Sequence, residues 1–357
     1  MHIVPNFDLS GLNTLGTPSV CDYYCEVTDD ETLMAAIRWA HNKNVPLCIL
    51  GGGSNVLLDR YVHALVVRPL LKGIDVTYGE GTSLYVTAAA GEIWHDFVMF
   101  SLANHWFGLE NLALIPGSVG AAPIQNIGAY GLEVKDRFYK LKALNIETGI
   151  VEEFFAPDCE FAYRDSVFKH KKKNSYVILA VTFLLSTKNV PNTYYPALNH
   201  EIQRQWQLAS DKERLIESKK NDSDDCRVTA QMVANAVIDL RSSKLPDPCK
   251  LPNVGSFFKN PLISKEKYTN LFSKYPGLVA FDDPSGLIKL AAAWLIDQLG
   301  WKGKSYAHAY VHSAQALVLT NPNRQPLDNV LQLACEIQKD VNLHFGVLLE
   351  IEPQRLI

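Results

Sequence analysis

Asn111–Gly131, NLALIPGSVGAAPIQNIGAYG, holds four glycines (Gly117, Gly120, Gly128, Gly131), four alanines, two prolines and no charged side chain. Glycine admits positive φ and lets a neighbour press on bare backbone. Proline fixes φ and removes a donor. Such a stretch is poor helix and poor strand. It predicts a preformed wall of backbone N–H groups around a flat or anionic ligand, as amide nests make for phosphates. The plainer alternative is a buried loop packed tightly for structural reasons. A second cluster, Ile49–Leu58 (ILGGGSNVLL), follows the apolar run 45–50 and predicts strand, amide-rich turn, strand, a context that suits a pyrophosphate. It is not the dinucleotide fingerprint, because Val56 fills the place of the last glycine and no helical pattern follows. Gly303-Lys304-Ser305 is no P-loop either, since Gln298 stands where the first glycine is required.

The 357 residues are enough for two or three domains, and 47% apolar with 20% charged residues is an ordinary globular composition. A net charge of −4 argues against a dedicated nucleic-acid binder. No apolar run approaches the roughly 20 residues of a membrane span. The start, MHIVPNFDLSGLNTLGT, has no basic n-region or apolar h-region. Seven cysteines without a C-x-x-C pattern suit reduced thiols. These features predict a cytoplasmic protein without membrane or nucleic-acid partners.

Residues 28–43 predict a helix, with Thr28 and Glu31 as a capping box and Leu33, Ala36, Ile37 and Ala40 at helical spacing. Strands are expected at 45–50, 64–68 and 84–90, a helix at 92–104, a hairpin at 139–155 and a long strand at 176–185. The polar stretch 199–227 predicts a surface insertion. Helical patterns follow at 229–241, 265–275, 287–299 and 327–343, with strands at 314–320 and 346–352. The second half therefore predicts an α+β unit with its own core.

Three clusters stand beside the glycine loops. Tyr163-Arg164-Asp165-Ser166 offers a guanidinium in an aromatic loop, able to clamp a carboxylate or steady developing negative charge, or to form an ordinary Arg–Asp surface pair. Lys244-Leu245-Pro246-Asp247-Pro248 and Asn253–Pro261 (NVGSFFKNP) present Ser256 and Asn260, and Lys244 and Lys259 bring positive charge that suits a diphosphate, or else the stretch forms a structural turn. No G-x-S-x-G elbow surrounds Ser256. Glu350 and Glu352 share one face of a strand, where they could also simply face solvent. His308 and His312 lack a third ligand, so no metal site is expected. Lys169–Lys173 (KHKKK) predicts a solvated turn.

In order, LGGGSNVLL, NLALIPGSVGAAPIQNIGAYG, YRDS, KLPDP, GSFFKNP, KLAAAWLIDQLGWKG, HSAQALVL and the glutamate-bearing terminus resemble the UDP-N-acetylenolpyruvoylglucosamine reductase family over about 17–352. The resemblance implies an α+β fold. An FAD-binding domain of the vanillyl-alcohol-oxidase type would occupy 1–200, with a core at about 17–187. A smaller substrate-binding domain would occupy 201–357, its last strand returning to the active site. It implies non-covalent FAD held by Gly51, Gly52, Gly53, Ser54 and Asn55 at the pyrophosphate. Ile115, Pro116, Gly117, Val119, Gly120, Gln125, Asn126, Gly128, Ala129 and Tyr130 would wrap the rest, with Tyr163 near the isoalloxazine. NADPH would reduce the flavin and leave, and the flavin would pass hydride to UDP-N-acetylglucosamine enolpyruvate in peptidoglycan synthesis.

By the same resemblance Arg164 and Glu352 would stabilise the enol-like intermediate and Ser256 would donate the closing proton. Lys244, Asn260, Lys289 and Gln315 would contact the UDP-sugar, and Tyr195 would be the loop tyrosine of one subtype, with Tyr194 as the alternative register. A monomer is implied. Three departures stand out: the polar stretch at 199–227 is longer than the usual connection, and Pro353 follows Glu352 where the family commonly has Val-Arg, leaving Glu350 as an alternative. Phe281 occupies the place of a frequent substrate-binding tyrosine. Other classes in play are an FAD-linked oxidase of the same cofactor fold and a silent UDP-sugar or flavin-binding module. The module would have no need of Arg164, Ser256 and Glu352 together.

Overall fold

The computed structural model describes residues 1–216 and 228–356. The chain forms two compact units: Met1–His2, Cys25–Gly52 and Val67–Ser243 make the first, and Ile3–Tyr24, Gly53–Val66 and Lys244–Ile357 the second.

An antiparallel five-stranded sheet centres the first unit, in the order Val151–Phe155, Phe138–Asn145, Tyr176–Ser186, Ser83–Ala89, Ile74–Tyr78. Leu84, Val86 and Ala88 are fully buried while Tyr85 and Thr87 between them are not, the period of two that a half-covered strand requires. The helix Trp94–Ala103 lays Trp94 and Phe97 on Phe183, with ring centroids 5.7 and 5.4 Å apart. Burying such side chains stabilises the unit by about 1.5–3 kcal/mol each.

The helix Asp30–Lys43 buries Leu33, Ala36, Ile37 and Ala40, as their spacing predicts. Its cap, however, is Asp29 rather than Thr28: the carboxylate accepts the Thr32 amide at 2.7 Å from an extended residue. The polar stretch begins as part of the helix Pro196–Ile216, whose Leu198 and Ile202 are buried. The remainder of the expected insertion, 217–227, lies outside the described residues.

The second unit packs Phe257, Phe258, Leu290, Leu295 and Ile296 against Val330, Leu333, Ile337 and Val341 of the helix Leu327–Phe345. One sheet runs Asn253–Ser256, Val318–Thr320, Ala309–Val311, Ser305–Tyr306, and a second runs Leu262–Ile263, Ile288–Leu290, Ala280–Asp282. Two expectations are corrected here. The stretch 287–299 splits into the strand Ile288–Leu290 and the helix Ala292–Gln298. Apolar residues at 288, 290, 292, 295 and 296 satisfy period two at first and helical period afterwards. The stretch 346–352 opens on Gly346, the left-handed cap of the preceding helix, and carries a bridge between Ile351 and Phe258, while the terminal strand is Gln354–Leu356. That strand pairs in parallel with Val56–Leu58, Gln354 opposite Val56.

Candidate active site

In the first unit the two glycine clusters meet. A Cβ on Gly52 would lie 2.9 Å from the Gly117 Cα, and one on Gly51 would lie 2.9 Å from Ser118 Oγ. Deeper in the loop, a Cβ on Gly120 would come within 2.6 Å of the Ala90 Cβ. Gly52 is therefore required by close approach of main chain to main chain, and Gly51 and Gly120 by the small side chains of Ser118 and Ala90 that press on them. Loops so poor in side chains offer backbone N–H groups, which suit the phosphates and flat rings of a dinucleotide cofactor.

Four non-glycine residues around this wall hold left-handed backbone: Leu114 at φ 58, Asn126 at 44, Tyr130 at 47 and Arg164 at 54. Each such conformation costs of order 1–2 kcal/mol and must be held by its surroundings. Leu114 is clipped on both sides, its N–H donating to His95 Nδ1 at 2.9 Å and its carbonyl accepting from Arg241 Nε at 3.2 Å. Fully buried Asn126 donates to Glu133 Oε2 and to the Ala162 carbonyl, both at 2.9 Å, and accepts the Lys135 amide at 3.0 Å.

Arg164 sits in a tight turn whose ends, Ala162 and Asp165, exchange backbone hydrogen bonds. Its guanidinium donates to the Gly128 carbonyl at 2.7 Å, and Ser166 Oγ donates to the Ile124 carbonyl at 2.6 Å. The turn is thus fastened to the glycine loop. Asp165 engages His170 Nε2 at 2.7 Å, and Tyr163 lies beside Arg164 with its ring centre 5.5 Å from the guanidinium carbon.

The basic run behind this turn is solvent-facing, with His170, Lys171 and Lys173 exposed, and its charges make local contacts. Lys169 Nζ donates to the Arg164 carbonyl at 3.1 Å, Lys171 pairs with Glu160 at 2.7 Å, and Lys172 stands 4.9 Å from the rings of Phe154 and Tyr176.

Arg241, which sequence reasoning missed, completes the cluster. Burial pulls its guanidinium below the usual arginine value, the nearby Tyr130 hydroxyl opposes that, and Arg164 adds to it. Burial in turn raises the Tyr130 phenol, with Arg241 pulling it back. Two guanidiniums and a phenol gathered in a partly desolvated place suit an anionic ligand. The one available signal was an arginine three residues ahead of Lys244 at the start of the KLPDP stretch. Tyr195 packs edge-on against Tyr130, ring centroids 5.5 Å apart, whereas Tyr194 is 93% exposed.

In the second unit Gly53 turns at φ 67, and its carbonyl accepts the Thr14 amide at 3.0 Å. Ser256 ends the strand Asn253–Ser256, where Gly255 at φ 72 shifts the pairing with Val318–Thr320 and re-aims the next side chain. Asn253 holds that bend, accepting the Gly255 amide at 2.8 Å and donating to the Pro246 carbonyl at 3.1 Å. Exposed Lys244 heads the same proline turn.

The terminal segment then runs antiparallel beside 257–259. Glu352 N–H donates to the Phe257 carbonyl at 2.9 Å, and Lys259 N–H donates to the Glu350 carbonyl at 2.9 Å. Glu350 is spent on Lys259 Nζ at 2.5 Å, its side chain 70% exposed. Glu352 is partly buried and stands across from the residue after Ser256. Gln354 N–H reaches the Asn55 carbonyl at 3.0 Å, so the chain end is tied to the second glycine cluster.

Asn260 Oδ1 accepts the first helical amide of Ala292 at 2.9 Å, Lys289 pairs with Asp283 at 3.3 Å, and Gln315 Oε1 accepts the Leu317 amide at 3.4 Å. Of the expected site residues, Gly51, Gly52, those in 115–130, Tyr163, Arg164 and Tyr195 fall in the first unit. Gly53, Ser54, Asn55, Lys244, Ser256, Asn260, Lys289, Gln315 and Glu352 fall in the second.

A family model described as "UDP-N-acetylenolpyruvoylglucosamine reductase, C-terminal domain" matches residues 247–356, and one described as "FAD binding domain" matches 21–154. The UDP-N-acetylenolpyruvoylglucosamine reductase of Paraburkholderia phytofirmans is 44% identical over 350 residues, covering 98% of this chain and 96% of its own. That of Pseudomonas fluorescens is 42% identical over 355 residues, covering 99% of both chains. The crystal structure of UDP-N-acetylenolpyruvylglucosamine reductase from Thermus caldophilus superposes with a TM-score of 0.64 at 21% identity, over 100% of this chain and 98% of that one, a likeness of fold. With an α+β fold, a flavin-domain match and close relatives along its whole length, the chain belongs to the UDP-N-acetylenolpyruvoylglucosamine reductase family.

Proposed function

We propose that the chain reduces UDP-N-acetylglucosamine enolpyruvate to UDP-N-acetylmuramate for peptidoglycan synthesis, using NADPH and non-covalent FAD. We place it in the cytoplasm as a monomer, and among the described residues no helix is long and apolar enough to cross a membrane. A bound FAD would supply the hydride-transfer chemistry that links NADPH to the terminal carbon of the enolpyruvyl group. The protein holds the cofactor with the backbone of Gly51–Asn55 and of 115–120 and 125–130. The part about 1–200 serves the flavin, with Tyr163 near its ring system, and the part about 201–357 serves the substrate.

Negative charge then develops on the substrate carbon beside the carboxylate. Arg164 and Glu352 stabilise it, the glutamate acting best when it carries or shares a proton. Ser256 donates its hydroxyl proton to that carbon, and solvent restores the hydroxyl. A serine hydroxyl is a weak acid, so the step depends on a strongly basic carbon centre. Lys244, Asn260, Lys289 and Gln315 contact the UDP-sugar, and Tyr195 belongs to the tyrosine-bearing loop that covers the uridine. Glu352 is preferred to Glu350 because Glu350 is exposed and engaged by Lys259.

The observation that carries the mechanism is the Arg164 turn, a left-handed arginine fastened to the glycine loop beside desolvated Arg241. An anaerobic visible spectrum tests the proposal in two steps. Bleaching of the flavin bands by NADPH and their return on adding UDP-N-acetylglucosamine enolpyruvate is the expected result. Bleaching without return would overturn the substrate, and a colourless protein that cannot be reconstituted with FAD would overturn the whole reading.

A further inference from the structure

Asn111 is an amide buried to 1% exposure in the first unit. Its Nδ2 donates to the Tyr130 carbonyl at 3.0 Å and to the Asn192 carbonyl at 2.9 Å. These bonds join the end of the glycine-rich loop to the segment that leads into Tyr195. Both Nδ2 hydrogens are thereby used, while Asn111 Oδ1 is buried with no partner. The orientation is forced, because turning the amide over would set Oδ1 against two carbonyl oxygens. A buried acceptor without a donor is costly. An apolar side chain of the same shape would escape that cost, and what it would lose are the two donations.

Asn192 returns the contact. Its Nδ2 donates to the Gly131 carbonyl at 3.2 Å, and its Oδ1 accepts the Tyr194 amide at 3.1 Å. The Tyr195 carbonyl accepts from the amides of Leu198 and Asn199, both at 3.0 Å, which anchors it to the first turn of Pro196–Ile216. The Tyr195 ring then stands at 85° to Tyr130, the very residue whose carbonyl Asn111 holds.

We propose that Asn111 and Asn192 form a clasp that positions Tyr195 for the sugar nucleotide and locks it to the Tyr130–Gly131 turn of the cofactor loop. Both are positioning residues, and the role rests on the reading that Tyr195 covers the substrate. The clasp lies within one compact unit. It presets the loop and so lowers the ordering cost of substrate binding.

Two variants of the full-length holoenzyme test it, Asn192→Ala at a partly exposed site and Asn111→Leu at the buried one. Hydrogen exchange of the 188–198 peptide without substrate reads the clasp alone and does not depend on the reaction. Exchange faster than in the parent by about tenfold is expected for the loss of one to two hydrogen bonds. Unchanged exchange in both variants overturns the clasp.

In the two-step flavin assay, NADPH bleaching should stay within about twofold of the parent while KM for the sugar nucleotide rises about tenfold with little change in kcat. Faster exchange with an unchanged KM overturns the positioning role. A merely structural role would instead lower flavin content and slow both half-reactions together, which also overturns it. If the parent itself bleaches but does not recover with the sugar nucleotide, the reading of the reaction fails, and the exchange result still decides the clasp.

Discussion

The loop 111–131 and the terminal segment 346–356 are both irregular, and each is held in a different way. The loop is shaped largely by its own backbone, with Gly117 and Gly131 at positive φ and Asn126 and Tyr130 left-handed, and is braced through space by Arg164, Asn192 and Arg241. The terminal segment owes its position to partners far away in sequence, namely the Phe257 carbonyl, the Lys259 amide, the Asn55 carbonyl and the strand Val56–Leu58. The first is a backbone surface made by small residues. The second is a rail that presents side chains. Filling the close glycine contacts of the loop should therefore be felt as lost cofactor, and damage along the rail as lost turnover.

The largest expected effect lies on the rail side. Ser256→Ala should lower substrate turnover by about 10²–10⁴ with NADPH bleaching retained, since a positioned acid contributes that much. Stopped-flow measurement of the two half-reactions checks it, and an unchanged second half-reaction removes Ser256 from the mechanism. Glu352→Gln should cost about 10²–10³ in turnover. Glu350→Gln should change turnover less than about fivefold, because the Glu350 carboxylate is 70% exposed and an ion pair screened by solvent at that end is worth about 1 kcal/mol. The reverse ranking would shift the role to Glu350.

Gly52→Ala probes the wall. Its new Cβ meets the Gly117 Cα at 2.9 Å, and such overpacking costs about 1–3 kcal/mol, so FAD affinity should fall about ten- to hundredfold. Equilibrium titration of the apoprotein with FAD measures this, and unaltered affinity would refute the backbone cradle. Smallest is Ser264→Ala, which removes the cap on Lys265–Lys274 that accepts the Lys267 amide at 3.2 Å. It should cost about 1 kcal/mol of stability by denaturant unfolding while leaving both half-reactions intact.

Much of the fold was legible in the sequence. The helix Asp30–Lys43, the hairpin Phe138–Phe155 and the helix Leu327–Phe345 follow from periodicity and turn residues, and the glycine clusters announced themselves by composition. The site was legible mainly as motifs in order, because a serine beside two phenylalanines or a glutamate near a chain end says little by itself. Ile288–Leu290 was hidden because its apolar residues fit a helical stripe as well as a strand. Arg241 was hidden because its importance comes from Leu114 and Tyr130, which approach it only through space.

The sequence by itself determined where glycine is concentrated, roughly where most helices and the hairpin lie, and which family this chain joins. Those signals act within a few residues, through steric limits on φ and through the alternation of apolar side chains. Only the tertiary structure decided that segments 3–24 and 53–66 join 244–357, that Glu350 rather than Glu352 meets Lys259, and that Asn111 ties Tyr130 to Asn192. Each of these depends on which distant carbonyl, amide or carboxylate packing brings within hydrogen-bonding range, and a residue pattern specifies that a group needs a partner without specifying which one.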